Sequence, residues 1–118
     1  MKRVMVIDGH PRIRELLVEL LAGEPGLKIV GSTATGVDAV ELADRLRPDV
    51  IVVDPEPAVV NAADATLQIL ARHPQTHVLV LTAAPHGTLA TQTLAAGART
   101  CLAKSVAYTA IVQAIRAT

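Results

Sequence analysis

Asp54 closes the run Val50-Ile51-Val52-Val53 and is followed at once by Pro55-Glu56-Pro57. A carboxylate at the mouth of a buried strand, with proline stopping the strand behind it, is poorly placed for packing and well placed for chemistry. Two other apolar runs end in the same way. Val4 to Ile7 leads into Asp8-Gly9-His10, and Val78 to Leu81 leads into Thr82-Ala83. A fourth short run, around Cys101 to Ala103, leads into Lys104. In an open parallel sheet, ligands are met where strands give way to loops at their carboxyl ends. Two acids, a hydroxyl and an amine would therefore gather on one edge.

The elements that must hold them follow in a regular order. Val4–Ile7 reads as a strand without alternation, as expected when both faces are covered. A helix opens at Pro11, a good first-turn position, with Ile13, Leu16, Leu17, Leu20 and Leu21 as its apolar stripe. Gly23, Pro25 and Gly26 end it. Leu27–Val30, which carries Lys28, reads as an edge strand. Gly36 precedes a helix running to about Arg47 with Val40, Ala43 and Leu46 inward, and Pro48 stops it. Val50–Val53 is the most apolar strand and is placed at the centre. A third helix, about Asn61 to Arg72, is expected to bury Ala63, Thr66, Leu67 and Leu70. His77–Leu81 is the fourth strand, Gly87 to Ala96 a weak threonine-rich helix closed by Gly97, and Thr100–Ala103 the fifth strand. The last helix, about Val106 to Ala117, presents Ile111, Val112 and Ile115. Strand and helix alternate five times, which argues an α/β fold with a parallel sheet, helices on both faces and right-handed crossovers. No internal repeat, low-complexity stretch or linker interrupts it, so residues 1–118 read as one domain.

Composition removes several function classes. The chain has 118 residues, no Phe or Trp and one Tyr, so its core must be built from Val, Ile, Leu and many alanines. Eleven basic residues balance eleven acidic ones. No net positive field is available for nucleic acid or an anionic membrane, and direct DNA binding by this domain is not expected. The single cysteine, Cys101, has no intrachain partner, which suits a reducing cytosol. Only four apolar residues separate Arg3 from Asp8. That is too short for a signal peptide or a membrane span, so a soluble cytoplasmic protein is expected.

The series Val-Ile-Asp8-Gly9-His10-Pro11, Val-Val-Asp54, Leu-Thr82-Ala83, Gly97-Ala98 and Lys104 resembles the receiver domain of bacterial two-component response regulators. Within that family it resembles the LuxR/NarL-type branch, usually joined to a helix-turn-helix domain. Each motif alone is weak, but five in register over the whole chain are specific. The resemblance implies a flavodoxin-like, doubly wound five-stranded sheet in the order 2-1-3-4-5 with five helices. It also implies that Asp54 takes a phosphoryl group from a sensor histidine kinase with Mg²⁺ in the pocket, while Lys104 and Thr82 meet the phosphoryl oxygens. A carboxylate attacking phosphorus needs its own charge and the developing oxyanions neutralised by a metal and a cation, which is the sense of this donor set. Such a domain is a signalling module, not an enzyme, and works through dimerisation and a fused or partner DNA-binding domain. The face made by the fourth helix, fifth strand and fifth helix is one candidate for association, and the first and last helices are the other.

Three departures from the family pattern point to an atypical receiver. Receivers carry two adjacent acids after the first strand, whereas this chain has Asp8-Gly9. Mg²⁺ asks for near-octahedral oxygen ligation, and glycine offers no side chain. Asp8 and Asp54 remain as metal ligands, with the Glu56 carboxylate as a possible replacement for the missing one, so Mg²⁺ is expected to bind weakly or not at all. The aromatic residue three positions before the lysine is replaced by Cys101. The Met-Pro pair of the loop after Asp54 is replaced by Pro57-Ala58, and two prolines stiffen that loop. Phosphorylation at Asp54 is accordingly expected to be weakened.

Other readings of the same residues stay open. Thr82 either meets a phosphoryl oxygen or caps the segment after it. Asp8 before Gly9 is either a site residue or a turn residue. His10, His73, His77 and His86 lack metal-ligand spacing and read as surface histidines, although His10 lies near the pocket. Cys101 reads as a small buried hydrophobe, not a redox sensor. A conventional phospho-accepting receiver is the first alternative function. A flavodoxin-like small-molecule binder is the second, opposed by the lack of a G-x-G-x-x-G loop and of aromatics to stack on a flavin.

Overall fold

The computed structural model describes residues 1–118. Strands β1 (Lys2–Ile7), β2 (Leu27–Thr33), β3 (Val50–Val53), β4 (His77–Thr82) and β5 (Thr100–Ala103) alternate with helices α1 (Pro11–Ala22), α2 (Gly36–Leu46), α3 (Ala62–Arg72), α4 (Thr88–Ala95) and α5 (Tyr108–Arg116). A single 3-10 turn, Ala58–Val60, lies between β3 and α3. All strands pair in parallel, in the order β2-β1-β3-β4-β5. This is the doubly wound flavodoxin-like arrangement, with β3 central. β1 begins earlier and β2 ends later than the apolar runs alone suggest, because the two pair along their whole lengths across a bulge between Val4 and Met5.

The strict alternation of strand side chains divides the core in two. Met5, Ile7, Ile51, Val53, Val78 and Val80 pack with α2, α3 and α4, which meet the sheet largely through Ala39, Ala43, Ala62, Ile69 and Ala90. Val4, Val6, Val50, Val52, Leu79 and Leu81 point the other way, onto Leu21 of α1 and Ile111, Val112 and Ile115 of α5. Each fully buried Val, Leu or Ile contributes roughly 1.5–3 kcal/mol relative to exposure. Alanine on three helices lets one layer sit close to the sheet. The stop of α2 is abrupt: Arg47 takes a left-handed conformation (φ 47°) before Pro48.

Two helix faces differ from the periodicity reading. On α1 only Leu21 is buried, with Leu17 and Val18 packed beside it, while Ile13, Leu16 and Leu20 are 45%, 52% and 45% exposed. An edge helix touches the sheet along one narrow line, so a broad leucine stripe cannot all be inward. On α3 the buried line is Ala62, Ala65, Thr66 and Ile69; Leu67 is exposed, and Ala63 and Leu70 are half-buried. Small alanines, not leucines, are admitted where α3 also packs on α2. The α5 face is as expected.

Register fixes the site. Ile7 pairs with Val53 and Val53 with Val80, so β1 and β3 end on one row and their next residues are Asp8 and Asp54. The Asp54 backbone N–H donates to the Ile7 carbonyl at 2.9 Å, which holds the two exits together. Thr82 pairs with Ala103, and the Lys104 N–H donates to the Thr82 carbonyl at 2.8 Å.

Candidate functional site

Four of the five strands, β1, β3, β4 and β5, each deliver one functional group to the carboxyl edge. Asp8 and Asp54 are 1% and 5% exposed, an expensive state for two carboxylates unless cations and donors meet them. Lys104 supplies the cation: its Nζ lies 2.6 Å from Asp54 Oδ2 and 3.6 Å from Asp8 Oδ2. Backbone donors supply the rest. Asp54 Oδ1 accepts from the Glu56 N–H at 3.0 Å and Asp8 Oδ1 from the His10 N–H at 2.9 Å, each a two-residue turn closed by the aspartate. Arg14 of α1 donates from its guanidinium to the Asp8 carbonyl at 2.8 Å. Thr82 is fully buried, and its Oγ1 accepts from the Ala84 N–H at 3.1 Å.

The sequence reading brought Asp8, Asp54, Thr82 and Lys104 to one edge, and the strand ends place them there. It read His10 as a surface histidine near the pocket, and the ring is both exposed and beside the aspartates. His10 Nδ1 lies 3.0 Å from Asp8 Oδ1 and 3.8 Å from Asp54 Oδ2. Proline at position 11 helps set this placement. A residue before proline is pushed to extended backbone; His10, at φ −98° and ψ 107° just ahead of α1, follows that rule and turns its ring back over the aspartates. Glu56 is the opposite case. Asp8, His10 and Asp54 form the group of donors lying within 4.8 Å of one another. The Glu56 carboxylate stands apart from them, and what Glu56 brings is its backbone N–H.

Position 9 is tight as well as bare. A Cβ there would lie 3.2 Å from Val60 Cγ2 and 3.4 Å from Pro57 Cδ, so a side chain would ask Val60 to give by a few tenths of an ångström. That loop is in turn seated on Gly36, where a Cβ would come within 2.6 Å of the Val60 carbonyl. Cys101 pairs with Val80 and packs against the α2–α4 core, and burial pushes its thiol up. It behaves as a small hydrophobe.

A five-stranded doubly wound sheet with two buried aspartates and a lysine at its carboxyl edge places this chain among flavodoxin-like α/β domains with a charged site where strands give way to loops. The match to known proteins is specific: the family described as response regulator receiver domain matches residues 4–116, and the chain belongs to it. It is 33% identical over 116 residues to response regulator GacA of Pseudomonas aeruginosa, covering 98% of this chain and 54% of that protein. It is likewise 33% identical over 114 residues to the transcriptional regulatory protein DegU of Brevibacillus brevis, covering 97% and 48%. The chain thus spans about half the length of these curated relatives. Among solved structures, a LuxR-family two-component response regulator from Aurantimonas superposes with a TM-score of 0.81 at 31% identity, covering 98% of this chain and 82% of that one. Receiver domains are phosphorylated by histidine kinases and bind Mg²⁺ at acidic residues. No helix here is long and apolar enough to cross a membrane.

Proposed function

We propose that this is an atypical receiver in which Mg²⁺-dependent phosphorylation of Asp54 is weakened because the pocket holds Mg²⁺ weakly or not at all. The observation that carries this reading is the Lys104 ammonium lying between two buried carboxylates, 2.6 Å from one and 3.6 Å from the other. Asp8 and Asp54 are the carboxylates suited to a divalent cation, and the bare, tight position 9 removes a third. When bound, such an ion would neutralise charge on the phosphoryl oxygens.

The chain's own groups account for the rest of the transfer. An Asp54 oxygen attacks phosphorus on the phosphohistidine of a sensor kinase. The new P–O bond forms as the P–N bond breaks, and the imidazole leaves with the bonding pair. Charge moves from the carboxylate onto the phosphoryl oxygens, and the Lys104 ammonium follows it over a short distance. Thr82 reconciles its two readings, since a hydroxyl can accept from the Ala84 N–H and still donate its own proton to a phosphoryl oxygen.

The relatives' names support a transcriptional output, delivered by a DNA-binding domain joined to or partnered with this one in the cytoplasm, with homodimerisation as the coupling step. Mass spectrometry after incubation with acetyl phosphate and Mg²⁺ tests the core of the proposal. A low yield of singly phosphorylated wild type is expected, with no label on Asp54→Asn or Lys104→Met. Full labelling of the wild type would favour a conventional receiver, which the intact Asp8, Asp54, Thr82 and Lys104 set makes the second reading. Label that persists in Asp54→Asn would sink both.

A further inference from the structure

We infer that His10 is a third metal-binding side chain, and that with Asp8 and Asp54 it tunes the pocket to a later first-row dication such as Co²⁺, Ni²⁺ or Zn²⁺ in preference to Mg²⁺. This rests on the receiver reading only in assuming that a divalent ion enters the pocket.

Asp8 divides its two oxygens between two neighbours. Oδ2 faces the Lys104 ammonium at 3.6 Å, and Oδ1 faces His10 Nδ1 at 3.0 Å. On Asp54 both groups face Oδ2, the ammonium at 2.6 Å and the imidazole at 3.8 Å. Ligands held at about 2.1 Å on adjacent octahedral vertices stand ~3.0 Å apart, and on a tetrahedral ion ~3.4 Å. The Asp8–His10 separation of 3.0 Å matches the first of these, and the Asp54–His10 separation of 3.8 Å needs only a small adjustment. Both carboxylates are already held by backbone N–H donors, from His10 and Glu56, so most of the set is ordered in advance. The imidazole is the solvent-facing member: its side chain is 51% exposed, so an ion reaches the set from its side.

Donor chemistry sets the preference. Mg²⁺ takes oxygen ligands and gives up its waters reluctantly, so a ring nitrogen adds little to its binding. Imidazole suits the later first-row ions, whose affinity for nitrogen rises along the series. Gly9 makes the exchange matter. With no acid at position 9 and the Glu56 carboxylate standing apart, the one further side-chain donor in the gathered set is the histidine.

Isothermal titration of the whole chain with Co²⁺ and with Mg²⁺ at one neutral pH tests this, using wild type, His10→Ala, His10→Gln and His86→Ala. Loss of the ring is expected to weaken Co²⁺ by about 10-fold or more while Mg²⁺ stays within about 2-fold. His86→Ala should change neither, which excludes stray histidine binding. Pulsed EPR of the Mn²⁺-loaded chain should show nitrogen coupling that both His10 variants lose, and circular dichroism confirms that they fold. Equal losses for both ions, unchanged Co²⁺ affinity, or nitrogen coupling that survives without His10 would each overturn the inference. The acetyl phosphate label is scored separately. A labelled Asp54 with His10-independent Co²⁺ binding removes this inference and leaves the receiver reading; His10-dependent Co²⁺ binding without any label does the reverse.

Discussion

The two ends of the sheet treat charge in opposite ways. At the amino edge, Lys2, Arg3, Asp49, His77 and Arg99 are exposed or half-buried, and their bonds finish strand ends: the Arg3 N–H donates to Asp49 Oδ2 at 2.8 Å, and Lys2 reaches the Thr118 carbonyl. At the carboxyl edge two aspartates are almost fully withdrawn from water and share one lysine. The first arrangement costs little because solvent still screens it. The second leaves one negative charge in excess inside a low-dielectric pocket, which folding alone would not favour. Charge that is merely structural stays wet, and charge kept dry at a cost to stability marks the functional edge.

The largest effect that separates the edges is loss of the shared cation. Lys104→Met should destabilise the fold by about 3 kcal/mol by leaving two buried carboxylates unneutralised. Lys2→Met, at the opposite edge, should stay within about 0.5 kcal/mol. Urea denaturation of both variants measures the contrast, and equal effects would erase the distinction. Gly9→Asp sharpens it from the other side. Its Cβ must displace Val60 Cγ2 and Pro57 Cδ by a few tenths of an ångström, so a loss of about 1 kcal/mol without metal is expected. Mg²⁺ affinity should rise about 10-fold with the added oxygen ligand, and no gain by titration would show that the missing acid is not what weakens the pocket.

The smallest effect belongs to the amino edge. Burial first, then Arg99 and Lys2, hold His77 below its ordinary value of 6.5. Its folded value is depressed, so the unfolded chain binds the proton more readily. Stability is then fully present above about 6.5 and falls as pH drops through the window beneath it. His77→Gln, which keeps a partner for Thr100 Oγ1 at the position of the 3.1 Å bond, should flatten that part of the melting-temperature profile. An unchanged slope would assign it to another group.

Much of this was legible in the chain. Unbroken apolar runs ending in Asp8, Asp54 and Thr82 gave both the parallel sheet and its chemical edge, because strand register places the residues that follow paired ends side by side. Helix faces were harder. Periodicity marks which positions of α1 and α3 are apolar, and only packing decides that Leu21 and Ala65 face inward while Leu16 and Leu67 do not. The nearness of His10 to the pocket was legible from Asp8 two residues before it, but its approach to Asp54 was not, because that partner arrives from another strand. The nearness of Val60 to Gly9 was equally out of reach, being a tertiary contact between residues far apart along the chain.

Tyr108 packs with the α1–α5 layer, its hydroxyl buried without a hydrogen-bond partner and its phenol pushed up by that burial and by Glu24 facing it. It is the molecule's lone aromatic side chain apart from the histidines. Near-ultraviolet spectroscopy therefore views this protein through one window that opens on a single layer, and a repacking of α2, α3 and α4 that leaves their backbone helical would pass unseen there.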